Sequence, residues 1–301
     1  MRYSPVVLFV YKRPCETEKV LEALAANEGA AQSELIVYAD GPKNEDEKEQ
    51  CEAVRQLIRN CTGFAKVTLH AAEKNRGLAN SVISGVTETL EKYDSVIVLE
   101  DDLVTSKYFL RFMNEALEKY RNDDRICCIH GFSYPTKYPE IQYFLRRGAD
   151  CWGWATWKRG WNFFEKDSKK LYDRIVSLKL QKIFDRNGAF PYTKMLKDQA
   201  DGKIDSWAIR WYASAFLAEK YTLQSNVMLV ENIGFGKDAT HCSSKQKYKI
   251  VLSGDPVVFN VSEEFETSAL RSEYQKMFEN CKISIFRRII LKLKLCLKIK
   301  N

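Results

Sequence analysis

Apolar and polar positions alternate in two kinds of block along the first 130 residues. Short apolar runs read as strands buried on both faces: Val6 to Tyr11, Leu35 to Ala39, and Val96 to Leu99, the last with three β-branched residues in four. Lys66 to His70 and Arg125 to His130 add two more. Between them apolar residues recur at helical spacing. Glu16 to Asn27 places Val20, Leu21 and Leu24 on one face, and the segment after Asp40 places Cys51, Val54, Leu57, Ile58 and Cys61 inward. Leu78 to Tyr93 repeats Leu78, Val82, Val86 and Leu90 at every fourth position, and Lys107 to Tyr120 reads as a further helix. Alternating strands and helices predict an α/β fold, a Rossmann-like, mostly parallel sheet with helices on both faces.

After residue 130 the alternation stops. Trp152, Trp154, Trp157 and Trp161 bring four of the six tryptophans together. They read equally well as a core cluster or as an aromatic wall beside an accessible backbone at Gly153, suited to sugar faces. Helices of mixed charge fill Lys166 to Asn187, followed by an aromatic helix from Trp207 to Lys220 and a strand from Thr222 to Val230. A glycine-punctuated loop, Asn232 to His241, ends in one of three histidines.

With 301 residues, 45% apolar and 29% charged, the chain has the composition of a soluble globular protein. It has no run of about 18 apolar residues, and its first residues read as lacking a signal peptide. Nine cysteines at irregular spacing argue against a disulfide framework and for a reducing, cytoplasmic setting. Six of the net charges of +7 lie in residues 283–301, so the body is almost neutral, which disfavours a general nucleic-acid binder.

The chemistry concentrates at strand ends. The fourth strand runs without a turn residue into Glu100, Asp101 and Asp102. Adjacent carboxylates at the edge of an apolar core are unfavourable without a cation, and oxygen ligands suit Mg²⁺ or Mn²⁺. An acidic helix start is the plainer reading. Arg13 and Asp40 follow the first and second strands, and Asn75-Arg76-Gly77 precedes a helix whose N-terminus could face a phosphate. Ligands of open α/β sheets bind beyond the carboxyl ends of the strands. GxGxxG and GxxxxGK[ST] are both absent, which disfavours dehydrogenases and P-loop enzymes.

The ordered set FVYKRP (9–14), YADGP (38–42), NRGLANS (75–81), VIVLEDDL (96–103), DCWGWATW (150–157), DSW (205–207) and NIGFGKDATH (232–241) resembles glycosyltransferases of the GT-A fold. Within them it is similar to bacterial polysaccharide and lipopolysaccharide sugar transferases related to the N-acetylglucosaminyltransferase I group. The resemblance covers roughly residues 5–245. It implies a GT-A domain over 1–245, with a nucleotide-sugar-binding half (1–130) and an acceptor-side half (131–245), then an extension (246–282) and a basic tail (283–301). It further implies inverting transfer from a nucleotide sugar, with UDP as the expected nucleotide. Glu100-Asp101-Asp102 corresponds to the DxD variant: Asp102 would hold the metal, Asp101 would lie against ribose or sugar, and Glu100 belongs to the donor site. Arg13 and Asp40 match nucleotide-contacting positions, Asp40 as acceptor from a uracil N–H, with Asn75 and Arg76 flanking base or diphosphate. Asp205 matches the catalytic base, which the resemblance favours; a helix N-cap is the plainer role and is compatible with it. On the aromatic-wall reading Trp152, Gly153, Trp154 and Trp207 would form the sugar wall, and His241 would be a second metal or diphosphate contact.

The tail from Ile283 to Asn301 reads as a cationic amphipathic helix on an anionic membrane surface, where a glycan or lipid-linked acceptor would be met in surface polysaccharide synthesis. The expected place is therefore the cytoplasm, peripheral to the membrane's inner face. Docking of the tail on the domain is the alternative. The rival functions are a sugar nucleotidyltransferase and a non-catalytic carbohydrate-binding protein of the same fold.

Overall fold

A computed structural model describes residues 3–134, 136–234, 251–259 and 265–277. Eight strands form one sheet, in chain order β1 (Val6–Val10), β2 (Glu34–Ala39), β3 (Lys66–Ala71), β4 (Ser95–Glu100), β6 (Ile126–His130), β7 (Tyr143–Arg147), β8 (Trp154–Trp157) and β9 (Tyr221–Ser225). Their spatial order is β3-β2-β1-β4-β8-β6-β9-β7, and β5 (Leu103–Thr105) pairs separately with β10 (Val230–Asn232). The first four strands are parallel, with Val10 opposite Ala39 and Phe9 opposite Glu100. That register brings the residues after β1, β2 and β4 to one edge.

Helices α1 (Pro14–Ala25), α2 (Lys48–Arg59), α3 (Leu78–Lys92) and α4 (Phe109–Lys119) fall close to their expected places. β1 is apolar at every position, and β4 from Val96 to Leu99, because the sheet is covered there on both sides, whereas no residue of β3, at the sheet edge, is buried. Val6, Leu8 and Val10 of β1, with Ile97 and Leu99 of β4, pack with α1 and α4, while Val7, Phe9, Val96 and Val98 pack with α3 and the tryptophans.

Two expectations are corrected. The strand at 126–130 does not follow β4 in the sheet: the aromatic strand β8 lies between them, antiparallel to both, with Ala155 opposite Ile97 on one side and Ile129 on the other. The tryptophan-rich stretch is thus a central strand. The single strand expected at 222–230 is two. Asn226 interrupts it, its side-chain amide donating to Thr136 Oγ1, Tyr138 O and Ile141 O at 2.7–3.0 Å, and the chain then leaves β7 for β5.

The second half adds α5 (Lys158–Trp161), α6 (Ser168–Ser177), α7 (Gln181–Phe184), α8 (Tyr192–Ala200) and α9 (Trp207–Leu217). α9 packs its tryptophans under α3, and Phe259 stacks on Phe112 of α4 with ring centroids 5.4 Å apart. Among the described residues no helix is long and apolar enough to cross a membrane. His241 and the tail 283–301 lie outside the described residues.

Candidate active site

Asp40, one residue beyond β2, is buried at the shared edge. Oδ1 accepts from the N–H groups of Gly41 and Arg76, both at 2.8 Å, and Oδ2 from Gly77 N and Asn75 Nδ2, both at 3.0 Å. A carboxylate offers about four acceptor positions, and all four are filled. Asp40 as a free acceptor for a base is therefore corrected: its carboxylate ties the 75–77 loop to β2. Asn75 gives its other amide hydrogen to Gly41 O (2.9 Å), and the Arg76 guanidinium lies along α3 against Ser84 Oγ at 3.3 Å. Gly77 caps α3 with φ of 80°, a left-handed conformation that suits glycine.

Beside this knot stand the three acids. Arg13, at the N-cap of α1, donates through Nη2 to Asp101 Oδ1 and at 3.2 Å to Asp102 Oδ2, with Nε 3.3 Å from Asp101 Oδ2. Burial and then Asp102 and Asp101 push Glu100 well above the usual carboxylate range, against the pull of Arg13 and an indole hydrogen bond from Trp207. Burial likewise raises Asp101 to about 6 although Arg13 opposes it, and Asp102 also moves up. Burial works against the Arg13 charge, but Asp101 and Asp102 hold it firmly protonated. Three carboxylates share one guanidinium. That excess of negative charge is what a divalent cation would relieve, and Asp102, the most exposed of the Arg13 partners, is the acid able to reach one. Among the described residues no group of three or more His, Cys, Asp or Glu forms a ready-made metal cage.

The chain returns to Asp102 after β10. Ile233 N donates to Asp102 O at 2.8 Å, and a Cβ on Gly234 would lie 2.2 Å from Asp102 Oδ2. Only glycine allows that approach, so the glycine-rich loop begins directly against the acid.

The sugar wall is mostly corrected. Trp154 is fully buried, with Trp161, Trp207 and Trp211 around it at centroid distances of 5.3–5.9 Å. Trp207 is buried too and braces Glu100. Gly153 is enclosed: with φ of 64°, its Cβ position lies 2.6 Å from Val230. Of the four, Trp152 alone keeps partial exposure, standing edge-on to Phe132 at 4.8 Å. Its backbone N–H donates to His130 Nε2 at 3.2 Å, which puts the imidazole proton on Nδ1, toward Gln224 Oε1 at 3.0 Å. Burial keeps that imidazole below its ordinary pKa despite Asp150 nearby.

Asp205 is not the helix cap. Ser206 caps α9, its Oγ accepting from Ile209 N at 3.4 Å. The Asp205 side chain is 60% exposed, with Arg210 Nη2 at 3.3 Å. Its Oδ2 stands 3.9 Å from the Cβ position of Gly77, so it faces the loop that Asp40 organises. Ser206→Ala is expected to cost about 1 kcal/mol, while Asp205→Ala stays within about 0.5 kcal/mol of the parent. Urea unfolding checks both, and the reverse ranking would return the capping role to Asp205.

Glu47 was missed as a site residue. Its charge reads as helix-dipole bias, yet it accepts from Tyr11 Oη and from Lys43 N (2.9 Å) and pairs with Lys12 at 2.6 Å, pinning the end of β1 beside Arg13. His130 was missed because its partners come from β9 and from the loop before β8.

Comparison with known proteins decides the family. The model of glycosyl transferase family 2 matches residues 6–185, more than half of the chain. The chain belongs to glycosyl transferase family 2. The mostly parallel sheet, with acids at the carboxyl end of a central strand, is a GT-A architecture. Nothing marks it specifically for the N-acetylglucosaminyltransferase I group. Among solved structures it is similar to mannosyltransferase PcManGT from Pyrobaculum calidifontis in complex with GDP-Man and Mn²⁺ (15% identity, 57% of this chain and 47% of that one, TM-score 0.37). It is also similar to S. aureus TarS 1–349 (12% identity, 76% and 60%, TM-score 0.42). A third is glucosyl-3-phosphoglycerate synthase from Mycobacterium tuberculosis with Mn²⁺, UDP and glucosyl-3-phosphoglycerate (12% identity, 54% and 58%, TM-score 0.32). The chain spans 47–60% of the length of these three. No curated protein matches it.

Proposed function

We propose that this family 2 chain is a metal-dependent, inverting transferase that moves a sugar from a nucleotide-sugar donor, with UDP the expected nucleotide, to a glycan or lipid-linked acceptor. The observation that carries the reading is the surplus of carboxylate over Arg13 at the carboxyl edge of the sheet. A divalent cation held through Asp102 would neutralise charge on the donor diphosphate as it leaves. Asp101 and Arg13 form a braced pair beside it, and Asn75, Arg76 and Gly77, held by Asp40, line the same edge.

Across that edge Asp205 has the exposure a general base needs. It takes the proton of the acceptor hydroxyl as that oxygen bonds to the anomeric carbon. The bond from that carbon to the diphosphate oxygen breaks, and its electron pair leaves with the diphosphate. One carboxylate suffices for this single displacement. Trp152, partly exposed on the acceptor side, is the aromatic group left to meet a sugar face. The basic tail's sequence supports a lipid-linked acceptor and surface polysaccharide synthesis.

The test is a thermal-shift titration with UDP, GDP and dTDP, each with and without Mn²⁺, on the parent and Asp102→Asn. At 100 times its Kd a ligand adds about 2.7 kcal/mol of stability. Stabilisation by one nucleotide that requires both Mn²⁺ and Asp102 is expected. Stabilisation by none of them rejects the reading.

A further inference from the structure

A cavity of about 390 Å³ lies at the far edge of the sheet, bounded by β7, α7, α9 and the helical segment 268–277. Its order in the sheet puts β7 four strand spacings from β4, or about 19 Å at 4.8 Å per spacing. It is separate from the acid cluster.

Four guanidinium groups line this cavity, and three are already paired. Arg146, 4% exposed, bonds Asp150 and, at 2.9 Å, Gln224 Oε1. Arg147 pairs with Glu219 at 3.4 Å, and Arg271 with Glu266 at 3.1 Å. The fourth is different. Arg186 has no ion pair among the described residues, and its Nε is buried without a hydrogen-bond partner. Its guanidinium sits 5.3 Å from the Tyr212 ring and 5.9 Å from that of Tyr192. Burial works against this charge, but the two tyrosines, Glu266 and Asp150 hold it protonated, so the cavity keeps a fixed cation. An orphaned donor on a cation, in a cavity large enough for a small molecule, is the complement of an oxyanion.

We propose that this cavity binds a ligand bearing a phosphate or carboxylate group, with Arg186 as its principal contact. Arg146, held by Asp150 and Gln224, supplies a fixed second positive wall, and the Tyr212 ring an apolar face. The cavity is larger than a bare phosphate, so there is room for a body of sugar size behind the anion.

The test uses the full chain, free of metal and nucleotide, with inorganic phosphate titrated against sodium chloride at constant ionic strength while thermal stability is followed. Phosphate is expected to raise the melting temperature saturably, and Arg186→Met to weaken that response at least tenfold. In phosphate-free buffer Arg186→Met is expected to melt close to the parent, because Glu266 and Asp150, the acids that act on this guanidinium, are each already paired with another arginine. Arg271→Gln is the second variant and should weaken phosphate without abolishing it. Glycerol 1-phosphate separates the two sources of the anion: tighter binding than inorganic phosphate assigns the site to a phosphate carried on a larger molecule, and equal binding to free phosphate. No saturable rise over chloride, or an unchanged phosphate response in Arg186→Met, would overturn the proposal. Failure here leaves the donor reading intact, since Arg186→Met should still respond to a nucleotide with Mn²⁺ as the parent does.

Discussion

Replacing Arg13 with methionine is expected to lower the unfolding free energy by about 3 kcal/mol at neutral pH without divalent metal. Breaking a buried ion pair from one side costs about 3–5 kcal/mol, and the lower end applies because the Arg13 side chain keeps 24% of its exposure. The loss comes from the acids left behind, since Glu100, Asp101 and Asp102 would share no cation at all. Two further signatures separate this from simple loss of packing. In the parent, Asp101 titrates near 6 when folded, above its ordinary 3.8. The folded state therefore takes its proton first, and stability from this group is full at low pH and is lost as pH rises through about 6. Without Arg13 the folded values climb further, so the loss extends to higher pH and the variant should recover stability more steeply between pH 8 and pH 5. Mn²⁺ should also stabilise the variant in proportion to its occupancy. Urea unfolding across that pH range measures all three. A variant as stable as the parent, and indifferent to pH and Mn²⁺, would show that the cluster carries no uncompensated charge.

The first 130 residues were legible in the sequence because their signals are local. Val96 to Leu99 could be read as a strand covered on both sides from four residues alone, and the acids that follow it from the next three. The other half depends on partners distant in the chain. Trp154 looks the same in sequence whether it lines a groove or fills a core, and what buries it is the insertion of β8 between β4 and β6. Asp40 shows the same limit at the site. Its position at a strand end was readable, but not that Arg76, Gly77 and Asn75, some 35 residues on, would take up its lone pairs. Asp205 and Ser206 are adjacent residues with nearly equal N-cap preference, so the choice between them rests on geometry. Gly234 was visible as part of a glycine-rich loop, but its reason, the approach to Asp102, is a contact across 132 residues.

These differences change how the site is understood. Several residues in and around the site hold other residues in place. Asp40 shapes the 75–77 loop, Glu47 fixes the end of β1, Trp207 braces Glu100, and neutral His130 holds the Trp152 backbone. Groups whose hydrogen bonds are already made need no rearrangement when a charge develops nearby, which is the condition for electrostatic preorganisation. Asp102, Trp152 and Asp205 keep part of their surface exposed.

Asp205→Asn is the substitution expected to act on turnover alone. The amide keeps the size of the side chain and can still meet Arg210, so folding and donor affinity should match the parent. Asparagine cannot accept the acceptor's proton, and a positioned general base contributes about 10²–10⁴-fold. The fall should appear in kcat, with nucleotide binding in the presence of Mn²⁺ unchanged, because Asp205 stands beside Gly77 and pairs with Arg210. Ser206→Ala is the paired control, since it removes the α9 cap from the next residue and should lower stability while leaving kcat within about twofold. If Asp205→Asn turns over at the parental rate, the proton goes elsewhere, and Asp205 serves only to pair with Arg210. If it loses nucleotide binding together with turnover, its role lies in shaping the donor loop through Gly77. Loss of turnover with binding and stability intact is the result that makes this exposed carboxylate the base.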